Sequence, residues 1–196
     1  MKALNIYILA GGKSSRMEQE KGLVEIFGKP MVRHLLEKVT GFGLPITIIA
    51  HHQDYKQFDV PVIKDIIPEK GPMGGLYTAL IHSIPSSPIL LLSCDMPFLS
   101  LEVLQRFISQ SDENQMLITE LHGKIMPFPG IYPAYLLPSL RLHIQENKLK
   151  FQHFIHNSPH LKLNLDKDFL QNPESFQNIN TLQDKENAMT WQNKKL

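Results

Sequence analysis

Asn5-Ile-Tyr-Ile-Leu-Ala-Gly-Gly-Lys-Ser-Ser-Arg-Met17 decides the fold class, because a short apolar run passes directly into paired glycines and a cationic turn. An apolar segment of this length bounded by glycine reads as a buried strand, and a tight turn leaving its carboxyl end reads as the opening of a βα unit. The same grammar recurs along the chain. Apolar, β-branched runs at 5–9, 46–50, 62–64, 89–93, 116–120 and 161–165 predict strands. Between them lie stretches of helical period: 31–40 after Pro30, 75–83 before Pro85, 101–109 with Ser100 as N-cap, and 134–145. A last helix follows Thr181, which has capping-box spacing to Asp184. Strands alternating with helices, and central strands apolar on both faces, predict an α/β fold with a mostly parallel sheet. Segment 122–133, with Gly123, Pro127, Pro129, Gly130 and Pro133, reads as an irregular connection.

A length of 196 residues sets the default at one domain with room for a three-layer core. That domain covers 1–196, with a nucleotide half of about 1–121 and an acceptor half of about 122–196. Hydrophobic residues at 42% and charged residues at 20% exclude a disordered or collagen-like chain. A formal charge of +1 without a basic block gives no support to nucleic-acid polymer binding. The apolar runs are too short to span a bilayer, and Asn5 with the paired glycines makes the amino-terminal stretch unlike a secretory leader. The single cysteine, Cys94, allows no intrachain disulfide, so the expectation is a cytoplasmic protein.

Three clusters fall at or near strand ends, where ligands of open α/β sheets bind. Gly11 and Gly12 permit close approach of backbone N–H groups to an anion, with Lys13, Arg16 and Lys21 on hand to neutralise phosphate oxygens. The spacing matches neither the ATPase nor the dinucleotide fingerprint, so a plain tight turn with solvated cations stands beside the phosphate reading. Asp95 follows a wholly apolar strand and is the best candidate ligand for Mg²⁺, although an Asp before Met96-Pro97 is also a common turn-former. Asp65 ends the strand at 62–64 in the same way, and Gly71-Pro-Met-Gly-Gly75 opens a helix beyond it. Cys94 reads as a buried filler, and the adjacent His51 and His52 point to opposite sides of an extended chain, which argues against joint metal binding.

Taken together, Leu9-Ala-Gly-Gly-Lys-Ser-Ser-Arg-Met17 with Lys21, Phe27-Gly-Lys-Pro30, Gly71-Pro-Met-Gly-Gly75 and Cys94-Asp-Met-Pro97 resemble the molybdenum cofactor guanylyltransferase family. Phe176-Gln-Asn-Ile-Asn-Thr181 resembles the family's closing asparagine motif. The resemblance implies a Rossmann-like, three-layer α/β/α nucleotidyltransferase fold, with GTP and a molybdopterin cofactor as substrates and Mg²⁺ as cofactor. It implies that Leu9, Ala10, Gly11 and Gly12 line the nucleotide, that Lys13, Lys21 and Gly74 belong to the same site, and that Asp65 contacts the nucleotide side. It implies further that Asp95 holds Mg²⁺ and touches GTP, and that Asn178 and Asn180 meet the pterin side. Catalysis would fall to Lys21, Asp95 and Arg16, with Lys13 and Arg16 accompanying the departing pyrophosphate. Transient contact with molybdoenzymes is a further implication.

Three features depart from the family pattern. Glu18 follows Met17 where Gly is usual, and Glu20 precedes Lys21 where Asp is usual. No Asn aligns after the strand at 46–50, where His51 and His52 stand instead. Leu182 replaces a common Pro. Cytidylyl or sugar-phosphate nucleotidylyl transfer on the same fold remains an alternative, as does a non-catalytic nucleotide-binding cofactor carrier. The Ala10-Gly11-Gly12 triplet resembles the guanylyl branch rather than the Ala-Ala-Gly of cytidylyl relatives.

Overall fold

A computed structural model describes residues 4–11 and 20–190. The first half consists of β1 (Asn5–Leu9), a small hairpin of β2 (Glu25–Ile26) and β3 (Lys29–Pro30), α1 (Met31–Val39), β4 (Ile46–Ile49), β5 (Val62–Ile63), α2 (Gly71–His82), β6 (Ile89–Ser93) and α3 (Leu101–Ser109). The second half adds β7 (Met116–Leu121), β8 (Lys124–Tyr132), α4 (Leu137–Gln145), α5 (Phe151–His156), β9 (His160–Asn164), α6 (Asp166–Gln171) and α7 (Leu182–Met189).

Seven strands form one sheet in the order β5-β4-β1-β6-β8-β7-β9, and only β8 runs against the rest. The period of two along each central strand sorts its side chains onto two helix layers. Ile6, Ile8, Leu90 and Leu92 face Leu35 and Val39 of α1 and Val103 and Phe107 of α3. Tyr7, Ile89 and Leu91 face Leu76 and Leu80 of α2, Leu140 and Ile144 of α4, and Phe154 of α5. The result is the expected α/β/α sandwich with a mostly parallel sheet. Among the described residues, no helix is long and apolar enough to cross a membrane.

The six expected strands all form, with ends shifted by one residue at most. The helix ends also follow local chemistry. Ser100 accepts the Val103 N–H, and Thr181 and Asp184 form a reciprocal capping box. α2 begins at Gly71 rather than at residue 75, because Pro72 sits in its first turn, where no N–H is needed.

Segment 122–133 corrects the sequence-based expectation. It is not an irregular connection: residues 124–132 form β8, paired to both β6 and β7. The register with β7 jumps from Ile118↔Gly130 to Thr119↔Met126, so Pro127 and Pro129 lie in the extra residues of the bulge, where the ladder asks for no N–H. The buried Thr119 hydroxyl donates to the Pro129 carbonyl at 2.8 Å, and the Tyr132 hydroxyl donates to that of Pro127 at 2.7 Å. Gly130 is required beside them, since a Cβ there would stand 2.9 Å from the Pro127 carbonyl oxygen.

Candidate functional site

The parallel strands β1, β4, β5 and β6 bring their carboxyl ends to one edge of the sheet, and the residues just beyond them are Ala10 and Gly11, His51, Asp65 and Asp95 respectively. A fifth contribution comes from the far end of the chain. The Ile179 N–H donates to the Asp95 carbonyl at 2.8 Å, and its side chain is buried with Val24, Ile26, Met31 and Ala188. This small satellite core ties segment 178–180 to the β2–β3 hairpin and to the turn that carries Lys21.

The Lys21 ammonium therefore meets two partners remote in sequence. Its Nζ lies 2.8 Å from Asp95 Oδ2 and also donates to the Asn180 Oδ1 atom. The Asn180 backbone is held in turn: its N–H and that of Thr181 both donate to the Asp184 carboxylate, and the Asn180 N–H is the main reason that this carboxyl lies below its usual range. Lys21 and Asp95 are each about one-fifth exposed, which leaves the pair reachable from solvent. Asn178, two residues from Asn180, is exposed at the same segment.

The chain at Leu9–Gly11 is placed as expected, but its backbone is already engaged. The Ala10 and Gly11 N–H groups both donate to the Ile49 carbonyl, at 3.0 and 3.1 Å. The Leu9 carbonyl accepts from Cys94 N–H, and the Ala10 carbonyl accepts from the buried Tyr55 hydroxyl at 2.8 Å. The Gly11 N–H thus serves the β1–β4 junction in this structure. Gly12, Lys13, Arg16 and Glu18 lie outside the described residues. Gly74 is buried in the first turn of α2 and its N–H donates to the Lys70 carbonyl. A Cβ there would meet Ile67 O at 3.1 Å, so the glycine is explained by packing against the preceding turn. Gly75 lies closer to the site, since a Cβ on it would reach within 2.6 Å of the Leu9 side chain.

Asp65 stands apart from Lys21 and pairs with His51, whose Nε2 lies 3.2 Å from Oδ2. His52 turns elsewhere and accepts from the Asp54 N–H, so the two histidines do not act together. Cys94 is fully enclosed, and burial pushes its thiol well above the usual range, which suits a filler rather than a nucleophile.

Among the described residues, no three His, Cys, Asp or Glu side chains gather as a metal cage. Asp95 supplies a single hard carboxylate with acceptor capacity beyond the Lys21 contact. That donor set suits Mg²⁺, which is commonly held by one or two carboxylates together with substrate phosphates, and does not suit a closed zinc site. Sequence reasoning missed Tyr55, Asn180's contact with Lys21, and the His51–Asp65 pair. Each joins residues whose nearness depends on strand order, so no local spacing could signal it.

A family profile described as a MobA-like NTP transferase domain matches residues 6–160. The chain is 36% identical over 186 residues to a Flavobacterium johnsoniae protein named "Probable molybdenum cofactor guanylyltransferase", covering 93% of this chain and 97% of that protein. A Carboxydothermus hydrogenoformans protein of the same name is 31% identical over 196 residues, with 96% of each chain covered. Among solved structures, molybdopterin-guanine dinucleotide biosynthesis protein A from Archaeoglobus fulgidus superimposes with a TM-score of 0.80 over 97% of this chain and 99% of that one. At 22% identity this is a likeness of fold.

Proposed function

The chain belongs to the MobA-like NTP transferase family, and on that premise we propose that it transfers GMP from GTP to the molybdenum-molybdopterin cofactor with release of pyrophosphate. A terminal phosphate oxygen of the cofactor attacks the α-phosphorus of GTP and forms the new P–O bond. The bond from the α-phosphorus to the α–β bridging oxygen breaks, and its electron pair leaves with pyrophosphate. Such transfers ask a protein chiefly for positioning and charge neutralisation, and a strong base is not required.

The observation that carries this reading is the convergence of Lys21, Asp95 and Asn180 at the carboxyl edge of the sheet. Lys21 offers three N–H donors that can be re-aimed at α-phosphate oxygens as negative charge shifts. Asp95 holds that ammonium in place and would hold Mg²⁺, which contributes Lewis-acid neutralisation of phosphate oxygens when bound. Lys13 and Arg16 accompany the departing pyrophosphate, Asp65 serves the nucleotide side, and Asn178 and Asn180 serve the pterin side. Asn180's bond to Lys21 supports this last role, because it links the acceptor segment to the reacting phosphate. The dinucleotide product passes to molybdoenzymes through transient contacts, in a reducing cytoplasmic setting that suits a lone buried thiol.

The test is pyrophosphate release with Mg²⁺ and molybdopterin cofactor, comparing GTP, CTP and ATP. Release with GTP far above the others is expected. Preference for CTP would move the chain to cytidylyl transfer, and GTP binding without release would make it a carrier.

A further inference from the structure

Tyr55 is a buried polar group at this end of the sheet that the transfer chemistry leaves unused. It lies in the short helical turn Gln53–Phe58 between β4 and β5, and its side chain is fully enclosed. The turn opens with the His52 ring accepting the Asp54 N–H. The Tyr55 ring sits 6.2 Å from that of Phe58, over which the Arg33 guanidinium of α1 lies at 4.9 Å. A large side chain packed in this way is held in one place, so its hydroxyl is delivered to a fixed point.

That point lies between the two chain segments that flank residues 12–19. On one side the hydroxyl donates to the Ala10 carbonyl at 2.8 Å, where β1 runs out into the glycine turn. On the other it accepts from the N–H of Gly22, the neighbour of Lys21. A phenol is both donor and acceptor, and here each capacity has a backbone partner. Burial pushes the phenol above its usual range, so the proton that it donates stays in place at working pH. The Gly22 side leaves no room for a side chain: a Cβ there would stand 2.7 Å from the hydroxyl oxygen, 3.0 Å from the ring and 3.2 Å from the Ala10 Cβ. Glycine at 22 lets the backbone beside Lys21 close onto Tyr55, while the Lys21 ammonium goes to Asp95 and Asn180.

We propose that Tyr55 is a positioning residue for Lys21: its hydroxyl ties the Lys21 turn to the end of β1 and so fixes where the ammonium meets the reacting phosphate. The role rests on the transfer reaction proposed above and adds to it a group that never touches substrate, because its side chain is enclosed. Removing the oxygen leaves the Ala10 carbonyl and the Gly22 N–H without that partner, and the turn shifts. A displacement of about 1 Å near reacting atoms can cost about 10²-fold in rate.

The test is a double-mutant cycle. Tyr55→Phe, which deletes the oxygen and keeps the ring, is measured alone and combined with Lys21→Ala. With Lys21 present, Tyr55→Phe should lower kcat for pyrophosphate release by about fivefold or more and leave KM for GTP within about twofold. With Lys21→Ala it should lower kcat no further, since the group through which Tyr55 acts is gone. Gly22→Ala, which forces the same surfaces apart from the other side, should reproduce the loss of kcat. The Gly22 amide should also exchange hydrogen faster in Tyr55→Phe than in the wild type. An equal loss of kcat with and without Lys21, or a lowered thermal midpoint with kcat unchanged, overturns the role. If the wild type binds Mg²⁺-GTP without releasing pyrophosphate, the transfer reaction fails alone. The same cycle read on GTP affinity then decides for Tyr55: a loss confined to the chain with Lys21 supports the role, and an equal loss in both overturns it.

Discussion

At the scale of single residues, Lys21 and Asp95 are held together at 2.8 Å and lie outside the main hydrophobic clusters. Their loss should therefore damage chemistry far more than folding. Asp95→Ala and Lys21→Ala should each lower kcat by at least about 10²-fold, the scale set by removing one preorganised electrostatic contact to a developing charge. Thermal midpoints should stay close to that of the wild type. Turnover near wild type in saturating Mg²⁺ would refute the role of Asp95, and unfolding of Lys21→Ala would make the lysine structural. Both residues stood out in the sequence as candidates, because a charged side chain just past a glycine turn or an apolar strand falls where ligands of open α/β sheets bind, although a turn-forming reading stood beside each. Asn180's grip on Lys21 was not legible, since it depends on Ile179 being buried against Val24 and Ile26 from the opposite end of the chain. Nor was the bond from the Gly11 N–H to the Ile49 carbonyl legible: paired glycines announce close approach of something, but strand order decides what approaches.

Among the elements, α1 and the loop that follows β6 are joined by one side chain. Lys38 donates to the carbonyls of Pro97 and Leu99 at 3.1 and 2.7 Å, closing the turn that starts at Asp95. Burial pushes its ammonium down from 10.5 to about 8, with Glu102 and Glu37 pulling weakly the other way. Within that window the unfolded chain keeps a proton that the folded chain has released, so native stability rises with pH there. Stability of the wild type relative to Lys38→Met should accordingly increase from about pH 8 towards about pH 10.5, measured by denaturant unfolding at several pH values. A difference that stays flat across the window would contradict the burial of the charge. β8 shows where element-level reading fails. Prolines and glycines argue against a strand when every residue is assumed to join the ladder, but a bulge that loops out Pro127 and Pro129 removes that requirement. By contrast, α3 and α7 were legible because Ser100 and Thr181 with Asp184 supply their caps locally.

For the whole molecule, alternating apolar runs and helical stretches were enough to indicate a mostly parallel sheet between two helix layers. Strand order was not, and it is the order β5-β4-β1-β6 that separates Asp65 from Asp95 along the sheet edge. The antiparallel β8 then carries the sheet on to β7 and β9, and the chain returns through segment 178–180 to the Lys21 turn. Residues from both ends of the sequence thus meet over one sheet edge. The measurement that tests this most directly is the fate of a label placed on the α-phosphate of GTP, incubated with the protein, Mg²⁺ and molybdopterin cofactor. The label is expected to move into a molybdopterin guanine dinucleotide while unlabelled pyrophosphate accumulates in equal amount, and Asp95→Ala is expected to abolish both. Label remaining in GTP, or appearing in GMP or GDP with none on the cofactor, would contradict the transfer of GMP.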